Sequence, residues 1–175
     1  QDSNNCFMDV NIEIKQNLPI QSNAILYEPS CSGYSDGSIS INVSGGSYPY
    51  SINWTNGTGN IDSLYGLQKG IYELQVSDSS GCVFNEQLIL DEPDSLILTF
   101  TNYTNPLICR GELTSIDAIA VGGTPPYFYN WTNNDTTFQS IIGAGTFYCN
   151  ILDFNGCSIS SCLLYTSPSP RDRIS

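Results

Sequence analysis

Histidine is absent from this chain of 175 residues. Its absence removes imidazole acid–base catalysis, Ser-His-Asp and Cys-His nucleophile pairs, and most catalytic zinc sites. Lysine and arginine number only five against seventeen acidic residues, for a formal net charge of −12. Phosphate binding needs clustered basic side chains, so nucleic acid is not an expected partner. An anionic membrane surface is excluded on the same ground. No apolar run approaches the ~20 residues that span a bilayer, so no membrane insertion is expected in this fragment. The chain begins Gln1-Asp2-Ser3 without Met and reads as an internal fragment, so a missing signal peptide says nothing about secretion.

What is present is β-forming. Tyr, Ile, Thr and Phe are frequent while Ala, Lys and Arg are few, a balance that favours strands. The chain also repeats itself. "YPYSINWTNG" (Tyr48 to Gly57) returns as "PPYFYNWTNN" (Pro125 to Asn134), with Trp54 and Trp131 77 positions apart. Gly45-Gly46 and Gly122-Gly123 keep the same spacing. "GIYELQVSDSSGC" (Gly70 to Cys82) matches "GTFYCNILDFNGC" (Gly145 to Cys157) at a spacing of 75, a two-residue deletion that falls in a turn. "NNCFMDVNIEIKQNLP" (Asn4 to Pro19) reads like "SGCVFNEQLILDEP" (Ser80 to Pro93), so Cys6, Cys82 and Cys157 form one series.

The expected organisation follows. Residues 1–19 are the last strand of a truncated preceding repeat, with "MDVNIEI" (Met8 to Ile14) as that strand. Residues 20–93 are a first complete repeat, and 94–161 a second, truncated at its C-terminus. "CLLYTSPSPRD" (Cys162 to Asp172) resembles the conceptual translation of a transposase sequencing adapter. Residues 162–175 are read as an adapter-derived artefact, or else a disordered tail, and left out of the fold.

Within a repeat, apolar residues alternate with period two. Ile39, Ile41 and Val43 share one face, as do Tyr50, Ile52 and Trp54, and Tyr72, Leu74 and Val76. The second copy offers Ile116, Ala118 and Ala120; Tyr127, Tyr129 and Trp131; and Phe147, Cys149 and Ile151. Turn signals at Asp36-Gly37, Gly45-Gly46, Asn56-Gly57, Gly66, Gly70 and Ser80-Gly81 separate the runs. About seven short strands in ~75–80 residues predicts an all-β fold of tandem immunoglobulin-like β-sandwich repeats. So small a sandwich has a thin core, and a disulfide or a stacked neighbour would help it.

The motifs themselves carry a resemblance. "CSG" at Cys31, "DGSI" at Asp36, "GGSYPY" at Gly45, "WTNG" at Trp54, "GL" at Gly66, "GIY" at Gly70 and "DSSGC" at Asp78 together resemble the SprB-type repeat of gliding bacteria. The second copy departs from it: "LTSI" replaces "DGSI", and Phe147 replaces a Tyr. The resemblance covers about residues 1–161. It implies a piece of a very large adhesin, extracellular on the cell surface, exported by the type IX system and moved along the cell in gliding. Its partners would be adjacent repeats of the same chain, with surface glycans or other cell-surface proteins as candidates. It implies a structural or adhesive stalk and no enzyme, since the acidic residues are scattered in turns and linkers.

Four candidate sites remain. Trp54 and Trp131 could stack on sugar rings, which would make each repeat a carbohydrate-binding module; their place on a patterned strand face points to the core instead. Asn-x-Ser/Thr tripeptides at Asn42, Asn53, Asn56, Asn102, Asn130 and Asn134 read as compositional. No cofactor is expected unless calcium binds between repeats, through Asp91 to Asp94, Asp36 or Asp78, and no EF-hand spacing is present. The cysteines Cys31, Cys82, Cys109 and Cys157 are candidates for disulfides in a secreted array. Cys149 takes the place of a core Leu and suits a buried free thiol. Pairing within repeats, Cys31–Cys82 and Cys109–Cys157, is preferred. Against it stands the sandwich topology, which puts such a pair at opposite ends and beyond the ~7 Å Cα limit. A bridge between successive repeats, such as Cys31–Cys157, is the alternative.

Overall fold

The computed structural model describes residues 10–13, 16–55, 60–102 and 112–165. Those residues form twelve strands, and no helix is long and apolar enough to cross a membrane. The first six strands are β1 (Gln21–Tyr27), β2 (Gly37–Ser44), β3 (Ser51–Trp54), β4 (Ser63–Leu67), β5 (Gly70–Ser77) and β6 (Val83–Leu90). The second six are β7 (Ile97–Thr101), β8 (Thr114–Val121), β9 (Phe128–Trp131), β10 (Gln139–Ile142), β11 (Gly145–Leu152) and β12 (Ser158–Tyr165). Their sheets repeat as well. Strand orders β1-β2-β4 and β3-β5-β6 return as β7-β8-β10 and β9-β11-β12. The protein is therefore all-β, with two copies of an immunoglobulin-like sandwich built from three-stranded sheets. Among the described residues each copy has six strands, where about seven were expected.

By its contacts the chain divides into two compact units that do not follow the copies. One comprises 1–25, 40–63 and 72–88, the other 26–39, 64–71 and 89–175. In the first, Ile41, Trp54, Leu74, Val76 and Leu88 are buried. In the second, Ile116, Ala118, Ile142, Trp131, Cys149 and Ile151 form one cluster drawn from both sheets of the second copy. Phe100 meets Trp131 with ring centroids 5.7 Å apart. The period-two pattern explains both cores, because alternate residues of a strand point to opposite faces.

Two segments differ from expectation. Val10 to Glu13 form no strand and are exposed, and the rest of "MDVNIEI" lies outside the described residues. A strand requires a neighbour to take its backbone hydrogen bonds. At the other end β12 continues to Tyr165, four residues into the segment left out of the fold. Cys162 to Tyr165 pair with Tyr148 back to Gly145, and Leu163 packs on the core. Ladder bonds are made by backbone and need only an apolar residue at every second place, which Leu163 supplies.

The double glycines have the same role in both copies. Gly46 N–H donates to Leu18 O at 2.7 Å, and Gly123 N–H to Asp94 O at 2.7 Å. A Cβ on Gly45 would lie 2.0 Å from Pro19 O, and one on Gly122 2.1 Å from Ser95 O. All four glycines have positive φ. The incoming linker thus runs directly over the glycine loop, at a distance no side chain permits. An aspartate closes the arrangement. Asp78 accepts from Ser47 N–H at 2.9 Å, and Asp153 from Thr124 N–H at 2.7 Å. Tyr50 and Tyr127 donate their hydroxyls to Gly45 O and Gly122 O. Linker, glycine loop and the turn after β5 or β11 are therefore clasped together in each copy.

Gly122 and Gly156 both have positive φ, but a Cβ on Gly156 would meet nothing within 4 Å. Gly156→Ala should cost the ~1–2 kcal/mol of left-handed backbone alone. Gly122→Ala should cost roughly 2 kcal/mol more, from the forced displacement of the linker. Urea denaturation of the two variants measures the difference.

Candidate functional site

The tryptophans are core residues. Trp54 and Trp131 are each 2% exposed, and their indole N–H groups donate to Ile61 O and Thr137 O at 2.9 Å. Neither face is open to a sugar ring, which removes the carbohydrate-module reading that rested on them. The open aromatic of the motif is Tyr48, at 82% exposure, set edge-on to Tyr50. Its counterpart in the second copy is Pro125, so this feature is not repeated.

Asp36, Asp78 and Asp91, proposed for calcium, are held by the protein's own donors. Asp36 takes both the hydroxyl and the N–H of Ser30, at 2.6 and 2.9 Å, and these hold its carboxyl below the usual range. Burial opposes the charge on Asp78, and hydrogen bonds from Ser47, Cys82 and Ser80 outweigh it, leaving that carboxyl below the usual range too. Asp91 pairs with Lys69 at 2.7 Å, which lowers the acid and raises the amine. Among the described residues no three carboxylates or thiols gather as a metal site would require.

The cysteines do come together, and not in the preferred pairing. Cys31 is joined to Cys157, with Cα atoms 5.7 Å apart. Cys82 is exposed and free, and Cys109 lies outside the described residues. The reason is local. Cys157 sits in the turn between β11 and β12. Its N–H donates to Asp153 Oδ1 at 2.8 Å, and its carbonyl accepts from Asp153 N–H at 3.0 Å. That frame fixes the thiol at the end of the second copy, facing the segment that follows β1.

Polar contacts seat that segment. Asn155 Nδ2 donates to Ser30 O at 3.0 Å and to Thr124 Oγ1 at 3.1 Å. Cys157 Sγ lies 3.3 Å from Ser30 O. Gly33 N–H donates to Glu92 Oε2 at 2.7 Å, and the Ser32 hydroxyl reaches Glu92 Oε1 at 3.3 Å and Ser95 Oγ at 3.0 Å. The link is thus a small interface with the disulfide at its centre: the Cys-x-Gly segment of one copy against the linker and Gly-Cys turn of the next. Cys149, by contrast, is a buried free thiol that burial pushes up to about 11, which leaves it protonated and unreactive at neutral pH.

With this geometry the motif spacing acquires a physical meaning. The SprB repeat matches at residues 24–59 and again at 101–136. Each copy therefore carries a stretch that matches the SprB repeat. SprB repeats occur in cell-surface proteins. No curated protein matches the chain. Among solved structures, the C-terminal 282-residue fragment of intimin, determined with the intimin-binding domain of the translocated intimin receptor, aligns at 10% identity and a TM-score of 0.43. The alignment covers 86% of this chain and 64% of the fragment. In the SprB-type pattern seen here, Cys-x-Gly and Gly-Cys are the two halves of a link between copies, and the Asp of Asp-x-x-Gly-Cys is the residue that frames the second half.

Because Asp36, Asp78 and Asp91 are depressed in the folded chain, their stabilisation is complete above the unfolded carboxylate value of about 4 and is lost as pH falls below it and through their lower folded values. The denaturation midpoint should therefore decline below about pH 4. In Asp78→Asn that decline should be shallower, since one of the depressed groups is gone. Thermal melts of both chains from pH 7 to pH 3 read the two slopes.

Proposed function

We propose that this chain is a stretch of a stalk: repeats of about 20–93 and 94–161, the last strand running on to Tyr165, in a large cell-surface adhesin. The observation that supports the reading most is the Cys31–Cys157 disulfide, which closes 126 residues across two copies. A pull along the chain then enters through β1, crosses the disulfide and leaves through β12, so that β2 to β11 and the linker between the copies are bypassed. For a structure whose work is reach and spacing, that is the useful property.

The surface agrees with the role. The net charge of −12 keeps neighbouring stalks apart, and the scarcity of lysine limits chance binding to acidic partners. Export by the type IX system and a part in gliding belong to the same proposal, and rest on the kinship with SprB repeats. Adjacent repeats are the first partners in this reading. Contact with glycans or with other surface proteins falls to faces other than the buried tryptophans.

Single-molecule pulling from the chain ends tests the mechanical role. Without reductant, extension should involve only residues outside 31–157. Added reductant should release about 450 Å more, the length of 126 residues at ~3.6 Å each. Full extension without reductant would remove the load-bearing role.

A further inference from the structure

Cys82 occupies the same frame as the bonded Cys157. Its N–H donates to Asp78 Oδ1 at 2.9 Å, and its carbonyl accepts from Asp78 N–H at 3.0 Å. The matching distances at Cys157 are 2.8 and 3.0 Å. Gly81 and Gly156, one residue earlier, have φ of 86° and 84°. The two thiols are therefore presented alike. One carries a disulfide, and the other is exposed and free.

A second observation concerns what lies beside each thiol. Next to Cys157 are Ser95, Leu96, Ser158 and Ile159, with Cys31 and Ser32 against them. Next to Cys82 a groove of about 600 Å³ is lined at the matching places by Pro19, Ile20, Val83 and Phe84. That volume is within the range of sites that seat a small ligand. Gln16 also lines it, two residues before Leu18, as Glu92 stands two residues before Asp94. A side-chain amide oxygen there can accept the N–H that Glu92 accepts from Gly33. The groove thus has a framed thiol, an apolar floor and an acceptor, in the arrangement that receives the Cys-x-Gly segment in the other copy.

We propose that the groove beside Cys82 binds the Cys-x-Gly segment of another SprB-type repeat, and that Cys82 forms a disulfide with its cysteine as Cys157 does with Cys31. The step joins two thiols and releases two protons and two electrons. A small-molecule disulfide or a disulfide oxidoreductase takes these up: with oxidised glutathione, one disulfide forms and two molecules of reduced glutathione leave. In a tandem array every repeat would then be bonded to its neighbour. The inference goes beyond the stalk reading and does not depend on where the protein resides.

The full chain, incubated in a glutathione redox buffer with the peptide Glu-Pro-Ser-Cys-Ser-Gly-Tyr (the sequence of residues 28–34), tests it by mass-spectrometric mapping of mixed disulfides. The peptide should attach to Cys82 at least tenfold more than a scrambled peptide does, and more than it attaches to the exposed Cys162. A peptide with Ala in place of its Gly should lose most of that preference, because Gly33 adopts φ of 76° in the seated segment. The variant Gln16→Leu, which keeps the thiol and removes the acceptor, should lower peptide capture while leaving labelling by glutathione unchanged. Equal capture of authentic and scrambled peptides at Cys82, or capture at Cys162 equal to that at Cys82, would overturn the proposal.

Discussion

The Cys31–Cys157 disulfide is the constraint on which the most depends, because it acts at the greatest sequence distance. A cross-link that closes 126 residues removes about 5 kcal/mol of chain entropy from the unfolded state in the simple loop model. Domains of this size have total stabilities of a similar order. Its formation needs a thiol held in one place, and the Asp153 carboxylate does this through the N–H of Cys157. The same carboxylate accepts from Thr124 beside the double glycine, and the double glycine passes directly under the linker. Disulfide, turn, glycine loop and linker are therefore one connected structure at the end of the second copy.

The sandwich cores are thin by comparison. Among the described residues each sheet has three strands, and the hydrophobic cluster of the second copy has six buried members with partly buried neighbours around it. Small domains bury a modest fraction of their surface, so they gain most from covalent or polar reinforcement. Both kinds are present here, and both are built from the residues that define the repeat motif. Gly-Gly, Pro-Tyr and Asp-x-x-Gly-Cys are spaced as they are because they meet in space at one end of a copy.

Much of this was legible in the sequence. Period-two alternation located Ile39, Leu74, Val76, Ile116 and Ile151 in the core, and the 77-residue echo identified the copies. The burial of Trp54 and Trp131 followed from the same alternation. Other features were hidden for physical reasons. Cysteine pairing depends on which ends of which strands meet, and spacing along the chain does not carry that information. Nothing in "KQNLP" or "LDEPD" announces that a linker carbonyl will lie against a glycine. Tyr48 is exposed because it precedes β3 and lies two residues before Tyr50, where the buried alternation begins. β12 runs to Tyr165 because backbone pairing tolerates a wide range of sequence, so an unfamiliar segment can still complete a sheet.

The link between the copies is decided by which cysteines are joined. Proteolysis of the chain without reductant, followed by mass spectrometry, should yield a linked pair of peptides containing Cys31 and Cys157, with Cys82 recovered unlinked to Cys31. A Cys31–Cys82 peptide, or Cys31 recovered as a free thiol from oxidised protein, would contradict it.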